Sequence, residues 1–306
     1  MFYHGRMRVE YREEPCKVAL NRVKGMPFEW SLNPYMGCVH RCTFCYVRAF
    51  ERRADRPSDD RYGTSIRVKV NVAEVLRVEL SRPSWQGDGI TIGAATDPYQ
   101  PAEGRYRLTR ACLQALHDHR TPVGITTRGP MIVRDVDILS ALARRAHVMV
   151  CISVPSLDAG VVARTEPGTA PPRQRLRALR VLRDAGIRAG VLRAPILPGI
   201  SDSATAMGEV VRAAHDSGAA FIGAGALRLA PGTREHFMDR LAADFPDLVE
   251  EYRRLFAGRT GLPSSYTTPL MHTVRALRLL HRVDDRPEHY LTPEPVAAQL
   301  TLSLAS

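Results

Sequence analysis

The stretch that decides the fold is Phe28-Glu-Trp-Ser-Leu-Asn33-Pro-Tyr-Met-Gly-Cys38-Val-His-Arg-Cys42-Thr-Phe-Cys45-Tyr46. Its opening residues, Phe28–Asn33, read as a short strand, and Pro34 and Gly37 then break the chain into a loop. Three cysteines follow at CxxxCxxC spacing. Three thiolates on one loop can wrap a corner of a cubane cluster and ligate three of its four irons. An electron-transfer ferredoxin asks for a fourth thiolate, and a structural zinc site asks for four ligands in paired spacing. No fourth cysteine lies nearby, so one metal vertex is left open to a cofactor or substrate. His40 offers a nitrogen for a Cys3His zinc site, although it sits between two of the ligands it would join. That alternative stays open.

Working outward, short apolar runs alternate with amphipathic stretches from about residue 66, the mark of successive β/α units. The strand candidates are 90–95, 123–127, 148–154, 189–194 and 220–227, each a near-continuous apolar run of the kind buried on both faces of a parallel sheet. Helical patterns fill 109–119, 136–145, 174–185 and 205–217. In the third, Leu176, Leu179, Leu182 and Ala185 make the buried stripe, and Gly186 follows where a C-cap belongs. With the strand before the cysteines this makes six parallel strands. The expected fold is α/β, a partial (β/α)6 barrel with a short N-terminal arm over 1–27, a core over 28–232 and a C-terminal helical segment over 233–306. Helices are expected at 234–257 and 269–283, and the charged segment 51–61 reads as a surface loop. A doubly wound sheet fits less well, because no Gly-rich dinucleotide fingerprint follows any strand.

The 306 residues are 44% hydrophobic and 25% charged, ordinary for a globular chain with a sizeable core. No run of apolar residues is long enough to span a bilayer. The N-terminus, MFYHGRMRVEYREEP, is too charged for a signal-peptide core, and a cytoplasmic location follows as the expectation. The six cysteines are three clustered and three scattered, namely Cys16, Cys112 and Cys151. That suits metal ligation in a reducing compartment better than a disulfide framework. A net charge of +11 suits a polyanionic partner. The arginines are spread along the chain, however, and the stripes Arg173, Arg177, Arg180 and Arg275, Arg278, Arg282 read first as solvated outer faces of helices.

The CxxxCxxC loop, with an aromatic residue before its third cysteine and placed after the first strand of a β/α series, resembles the radical S-adenosylmethionine superfamily. Within it, several segments are similar to the spore photoproduct lyase family: Gly37-Cys38 to Cys45-Tyr46, Ala94-Ala95-Thr96-Asp97, Thr126-Thr127-Arg128, and Ser153 followed by Glu166-Pro-Gly168-Thr169 and Arg175. The resemblance implies a [4Fe–4S] cluster on Cys38, Cys42 and Cys45, with S-adenosylmethionine bound at the fourth iron. It also implies cleavage of that cofactor to a 5′-deoxyadenosyl radical that abstracts a substrate hydrogen atom. It places Arg128 on the cofactor carboxylate, Ser153 on a ribose hydroxyl or the carboxylate, Thr96 and Asp97 at the methionine ammonium, and Phe44, Ile196 and Leu197 beside the adenine. Tyr46 and Tyr99 become the candidate catalytic side chains, Tyr99 through the loop from Asp97 to Glu103 that leaves the strand mouth. A reductant such as flavodoxin or ferredoxin is implied as partner, and a nucleic acid or nucleotide-like molecule as substrate.

Blander roles suit some of these residues. Asp97 before Pro98 and Arg128 before Gly129-Pro130 both fit turns, and Glu166 with Arg175 fits an ion pair ordering the loop between them. Two departures from the lyase pattern stand out. Ala95 occupies the place of the lyase's hydrogen-donating cysteine, and Phe44 that of the first tyrosine of its radical-relaying pair. The rival readings are the same radical chemistry on a small molecule or peptide, and a non-enzymatic iron–sulfur or zinc protein that binds nucleic acid.

Overall fold

The computed structural model describes residues 9–286. Eleven strands are present among them: β1 (Glu10–Glu14), β2 (Leu20–Arg22), β3 (Trp30–Leu32), β4 (Tyr35–Met36), β5 (Ser65–Lys69), β6 (Ile90–Ile92), β7 (Val123–Thr127), β8 (Val148–Ser153), β9 (Arg188–Ile196), β10 (Phe221–Ala226) and β11 (Asp284–Asp285). The helices are α1 (Val47–Arg53), α2 (Val72–Leu80), α3 (Pro101–Tyr106), α4 (Leu108–Asp118), α5 (Val136–Ala143), α6 (Ala159–Thr165), α7 (Pro172–Asp184), α8 (Ala204–Asp216), α9 (Thr233–Asp244), α10 (Val249–Leu255) and α11 (Ser264–Leu280). No helix among the described residues is long and apolar enough to cross a membrane. The signal-peptide expectation falls largely on residues 1–8, which lie outside the described residues, as does the end of the C-terminal segment, 287–306.

The six expected parallel strands all form and lie side by side in the order β10-β9-β8-β7-β6-β3. Strand β11 extends one side in parallel, and β2 closes the other antiparallel to β3. Among the described residues β2 and β11 remain edges, so the barrel is open, as the strand count implied. The strand register divides the side chains into two faces. On the outer face Val150, Ile152, Ala189, Val191 and Ile222 meet Leu116, Leu139, Leu179 and Leu182 of the helices in one continuous core. Each of the Val, Ile and Leu side chains in this set is worth roughly 1.5–3 kcal/mol of burial.

The inner face is different. Met149, Cys151 and Phe221 pack with Phe28 and Leu192. In register beside them run Thr91, Gly124 and Thr126, Cys151 with Gly190, and Gly223 opposite Leu192. A closed (β/α)8 barrel fills its interior with bulky branched residues; here the Phe221 ring lies over Gly190, and Arg286 and Leu192 lie against Gly223.

Local signals set the helix ends. Ser203 Oγ caps α8 by accepting from Ala206 N at 3.2 Å, and Asp158 Oδ1 caps α6 by accepting from Val161 N at 2.8 Å. Pro172 starts α7 at a position where its missing N–H is harmless. Gly186 takes φ +77° just past the end of that helix, as its sequence position required.

Several boundaries differ from the sequence expectation. The helix expected over 234–257 is broken at Phe245 (φ −148°), because a residue before proline is pushed out of the α region. The first expected helix is preceded by α3, the two being separated by Arg107 in the left-handed region (φ 53°). The segment read as a surface loop begins inside α1. The arm contributes β1, which pairs in parallel with β5 in a separate three-stranded sheet, β1-β5-β4. Arg278 does not belong to a solvated stripe: its Nη1 donates to Ile222 O at 3.2 Å and pairs with Asp285.

Candidate functional site

The cysteine loop runs from β4 to α1 across the C-terminal ends of the parallel strands. Neighbouring strand exits hold it in place. From the segment after β6, Thr96 Oγ1 donates to Gly37 O at 2.6 Å, and Gln100 Nε2 donates to Gly37 O (3.1 Å) and Thr96 Oγ1 (2.8 Å). Gln100 Oε1 in turn accepts from Val39 N at 3.2 Å. From the segment after β8, Gly168 N donates to His40 O at 3.1 Å, and Thr165 O accepts from Thr43 N at 2.9 Å. From the start of α9, Thr233 Oγ1 donates to Cys45 O at 3.1 Å. The approach at Gly168 is so close that a Cβ there would lie 2.1 Å from Val39 O.

Cys38 and Cys42 are buried and Cys45 half-buried. The other cysteines lie elsewhere: Cys112 in the outer core, Cys151 on the inner face, and Cys16 in the arm, where its backbone exchanges two hydrogen bonds with the Asn71 side chain. Among the described residues no three His, Cys, Asp or Glu side chains converge to hold a single metal ion. A lone zinc needs all its ligands within about 2.3 Å of one point; a cubane spreads its cysteines over separate irons. The donor set of three thiols on one loop, without a fourth, fits the cluster that the sequence implied.

Beside the loop lies a polar network. Asp97, almost fully buried, spends both carboxylate oxygens internally. Oδ1 accepts from Thr127 Oγ1 (2.6 Å) and Tyr99 N (2.9 Å); Oδ2 accepts from Arg128 N (2.6 Å) and lies 3.3 Å from His40 Nδ1. Burial alone would raise its carboxyl, but His40, Thr127 and the Arg128 N–H outweigh it and hold Asp97 at about 2. His40 stands between Cys38 and Asp97. Burial works against its charge, yet these two neighbours push it up to about 10. Burial also acts to raise Cys38, and His40 reverses that, lowering the thiol; burial raises Cys42 and Cys45.

Arg128 reaches over the Phe44 ring, 5.7 Å from its centroid, and donates through Nε to Glu166 Oε1 at 2.6 Å. Glu166 Oε2 accepts from Arg175 Nη1 at 2.8 Å, and Arg175 is entirely buried. The ion pair read from the sequence is therefore present, and it extends to Arg128. Burial opposes the ionised Glu166, but the two arginines lower its carboxyl below the usual range. Ser153 O accepts a further bond from Arg175, at 3.0 Å, whereas the buried Ser153 Oγ has no partner.

The structure brings together Cys38, Cys42, Cys45, Phe44, Thr96, Asp97 and Arg128 around the loop, with Ser153 at the exit of β8. Tyr46, two-fifths exposed, donates its hydroxyl to Ala94 O beside them. Leu197 shares a cluster with Cys42 and Phe44. Two expectations need correction. Tyr99 is 2% exposed and packed in the outer core, with Asp135, Glu103 and Arg134 as its charged surroundings, so it does not face the loop. Ile196 points to the other side of its strand, packing on Met207, Leu270 and Val274 under α8 and α11. Asp97, moreover, has no unengaged oxygen for an ammonium. Sequence reasoning missed Gln100, His40 as the link between Cys38 and Asp97, and Tyr62, whose hydroxyl lies 3.8 Å from Cys45 Sγ. Only its place next to the Thr96-Asp97 turn could have marked Gln100.

Residues 32–207 match the Radical SAM superfamily, and the chain belongs to that family. An uncharacterised protein of Mycobacterium tuberculosis is 36% identical over 295 residues, covering 95% of this chain and 86% of the relative. An uncharacterised protein of Methanocaldococcus jannaschii is 23% identical over 202 residues, 66% of this chain and 73% of that one. Among solved structures, a spore photoproduct lyase variant with bound AdoMet and dinucleoside spore photoproduct has a TM-score of 0.65 at 18% identity, covering 89% of this chain and 79% of the other. A second variant of that lyase has a TM-score of 0.66 at 17% identity over the same shares. The chain thus shares the lyase fold.

Proposed function

We propose that the protein is a radical S-adenosylmethionine enzyme, with a [4Fe–4S] cluster on Cys38, Cys42 and Cys45 and a nucleic-acid or nucleotide-like substrate. The observation that carries the reading is the three-thiol loop seated on the exits of six parallel strands, with no fourth cysteine beside it. Held by Cys38, Cys42 and Cys45, such a cluster would supply the electron for reductive cleavage of S-adenosylmethionine and so the radical chemistry of hydrogen abstraction.

The chain's own residues position and shield. Arg128 has Nε committed to Glu166, which aims the rest of its guanidinium and leaves two nitrogens for the cofactor carboxylate. Ser153 Oγ, buried without a partner, answers a cofactor hydroxyl or carboxylate oxygen. Phe44 and Leu197 supply the apolar wall for the adenine. Asp97 holds His40, Thr127 and the Arg128 backbone in register, a positioning role in place of ammonium contact. Tyr46 stands at the exposed rim, where substrate approaches. The net charge of +11 favours an anionic substrate. The likeness to a lyase bound to a dinucleoside supports that class. With alanine at position 95, the substrate radical has no thiol there to quench it, which favours a reaction other than lesion reversal.

The test is anaerobic reconstitution, dithionite reduction and addition of S-adenosylmethionine. The reading expects 5′-deoxyadenosine to form; none, with iron and sulfide bound, would refute it. Binding of short duplex DNA with a steep salt slope is expected for a nucleic-acid substrate, and failure to bind at low salt would leave the small-molecule or peptide alternative.

A further inference from the structure

We propose that Tyr62 donates a hydrogen bond to the Cys45 thiolate and, with Arg48, sets the reduction potential of the cluster. The inference rests on the preceding reading that Cys38, Cys42 and Cys45 carry an iron–sulfur cluster. Tyr62 is 3% exposed, and its ring packs with Cys38, Val47 and Cys45. Its hydroxyl lies 3.8 Å from Cys45 Sγ, within reach of an O–H to sulfur contact. The ring cannot swing away, because the Arg48 guanidinium stacks on it at 4.6 Å from the centroid. The turn is locked on its other side by Gly63, where a Cβ would meet Cys38 O at 2.3 Å.

Arg48 strengthens the argument by what surrounds it. It is 1% exposed, yet its partners are all backbone carbonyls: Ser58 O and Asp59 O at 2.7 Å, Cys42 O and Arg41 O at 3.4 Å. Among the described residues no carboxylate pairs with it. A buried cation without a counter-charge is costly. Thiolates bearing an iron–sulfur cluster would provide that counter-charge: Arg48 stacks on the Tyr62 ring whose hydroxyl reaches Cys45 Sγ, and its Nε reaches Cys42 O. Reduction adds negative charge, so a nearby guanidinium and a hydrogen bond to a ligand sulfur both favour the reduced state and raise the potential. The residues that hold the loop would thus also make its cluster easier to reduce.

The experiment is a potentiometric titration of the anaerobically reconstituted full chain, followed by electron paramagnetic resonance without S-adenosylmethionine, so that turnover plays no part. Tyr62→Phe keeps the ring and its stacking but removes the O–H. It is expected to retain wild-type iron and sulfide while its reduced-to-oxidised ratio, read at the wild-type midpoint, falls about tenfold, a shift of about 59 mV for one electron. Arg48→Met is expected to shift the potential the same way, and Arg48→Lys less, because it restores the charge. An intact cluster in Tyr62→Phe with an unmoved midpoint overturns the proposal. If that variant holds no cluster, the wild type decides: its iron–thiolate Raman bands are expected to move in D2O, and bands that stay fixed overturn the hydrogen bond. A wild-type chain that assembles no iron–sulfur cluster removes the functional reading itself, an outcome distinct from either.

Discussion

Replacing Glu166 by glutamine tests the network that aims Arg128. The Glu166 carboxylate is the shared counter-ion of Arg128, at 2.6 Å, and Arg175, at 2.8 Å, and both Glu166 and Arg175 are shut away from water. Glu166→Gln keeps the shape, removes the charge and leaves two guanidiniums facing an amide. Breaking a buried pair in this way costs about 3–5 kcal/mol. The unfolding entropy of about 2.1 cal/mol/K per residue, over 306 residues, amounts to roughly 0.6 kcal/mol per degree. The expected fall in Tm is therefore about 5–8 °C, read by circular dichroism on anaerobically purified protein. The double variant with Arg175→Met should show a coupling of about 1 kcal/mol or more, because the two residues share one contact. A Tm within a degree of wild type, or strictly additive single changes, would refute the buried bridge and with it the stated reason for the orientation of Arg128.

Three further outcomes follow from the same geometry. Ser153→Ala deletes a hydroxyl that makes no bond within the protein, so stability should hold within about 1 kcal/mol while S-adenosylmethionine binding by calorimetry weakens roughly five- to tenfold. Unchanged affinity would remove Ser153 from the site. Gly168→Ala drives a Cβ into Val39 O; the variant should bind less iron per chain after reconstitution, and wild-type iron content would show that the contact is not needed. His236 is held at about 4, below its ordinary 6.5, first by burial and then by the Arg48 charge, with Asp60 at 3.9 Å opposing. The unfolded chain therefore takes up this proton first: its contribution is intact above about pH 6.5 and is lost as pH falls toward about 4. Allowing for solvent screening, the loss is about 2 kcal/mol. Urea midpoints of wild type and His236→Gln should diverge over that window, and parallel curves would contradict the assignment.

The sheet was legible where a strand is apolar on both faces. Strand β7 matches its expected bounds and β8 falls one residue short, because Val-Gly-Ile-Thr-Thr and Val-Met-Val-Cys-Ile-Ser are bounded runs that only a buried parallel strand explains. The small sheet was not legible: β1 reads Glu-Tyr-Arg-Glu-Glu, β4 has two residues, and their pairing with β5 is purely tertiary. The cysteine loop declared itself by spacing alone. The direction of Ile196 could not be read, because adjacent strand residues face opposite sides and the bulge between Ala224 and Ala226 shifts the register of the neighbouring strand there. Tyr99 was misplaced because the chain turns inward after Asp97, a turn fixed by Thr127 and Arg128 from another strand. Tyr62 carried no local signal at all. Its role arises where the turn at Gly63 folds back on Cys38.

The central claim is that three thiolates hold a cubane and leave one iron without a protein ligand. Anaerobically reconstituted protein, reduced and frozen, reports on that iron through its electron paramagnetic resonance spectrum with and without S-adenosylmethionine labelled with 15N in its amino group. Near four irons and four sulfides per chain, a signal that changes on adding the cofactor, and a 15N coupling in the double-resonance spectrum are expected. Bound zinc with no iron chromophore, or a full cluster whose spectrum ignores the cofactor, would contradict it.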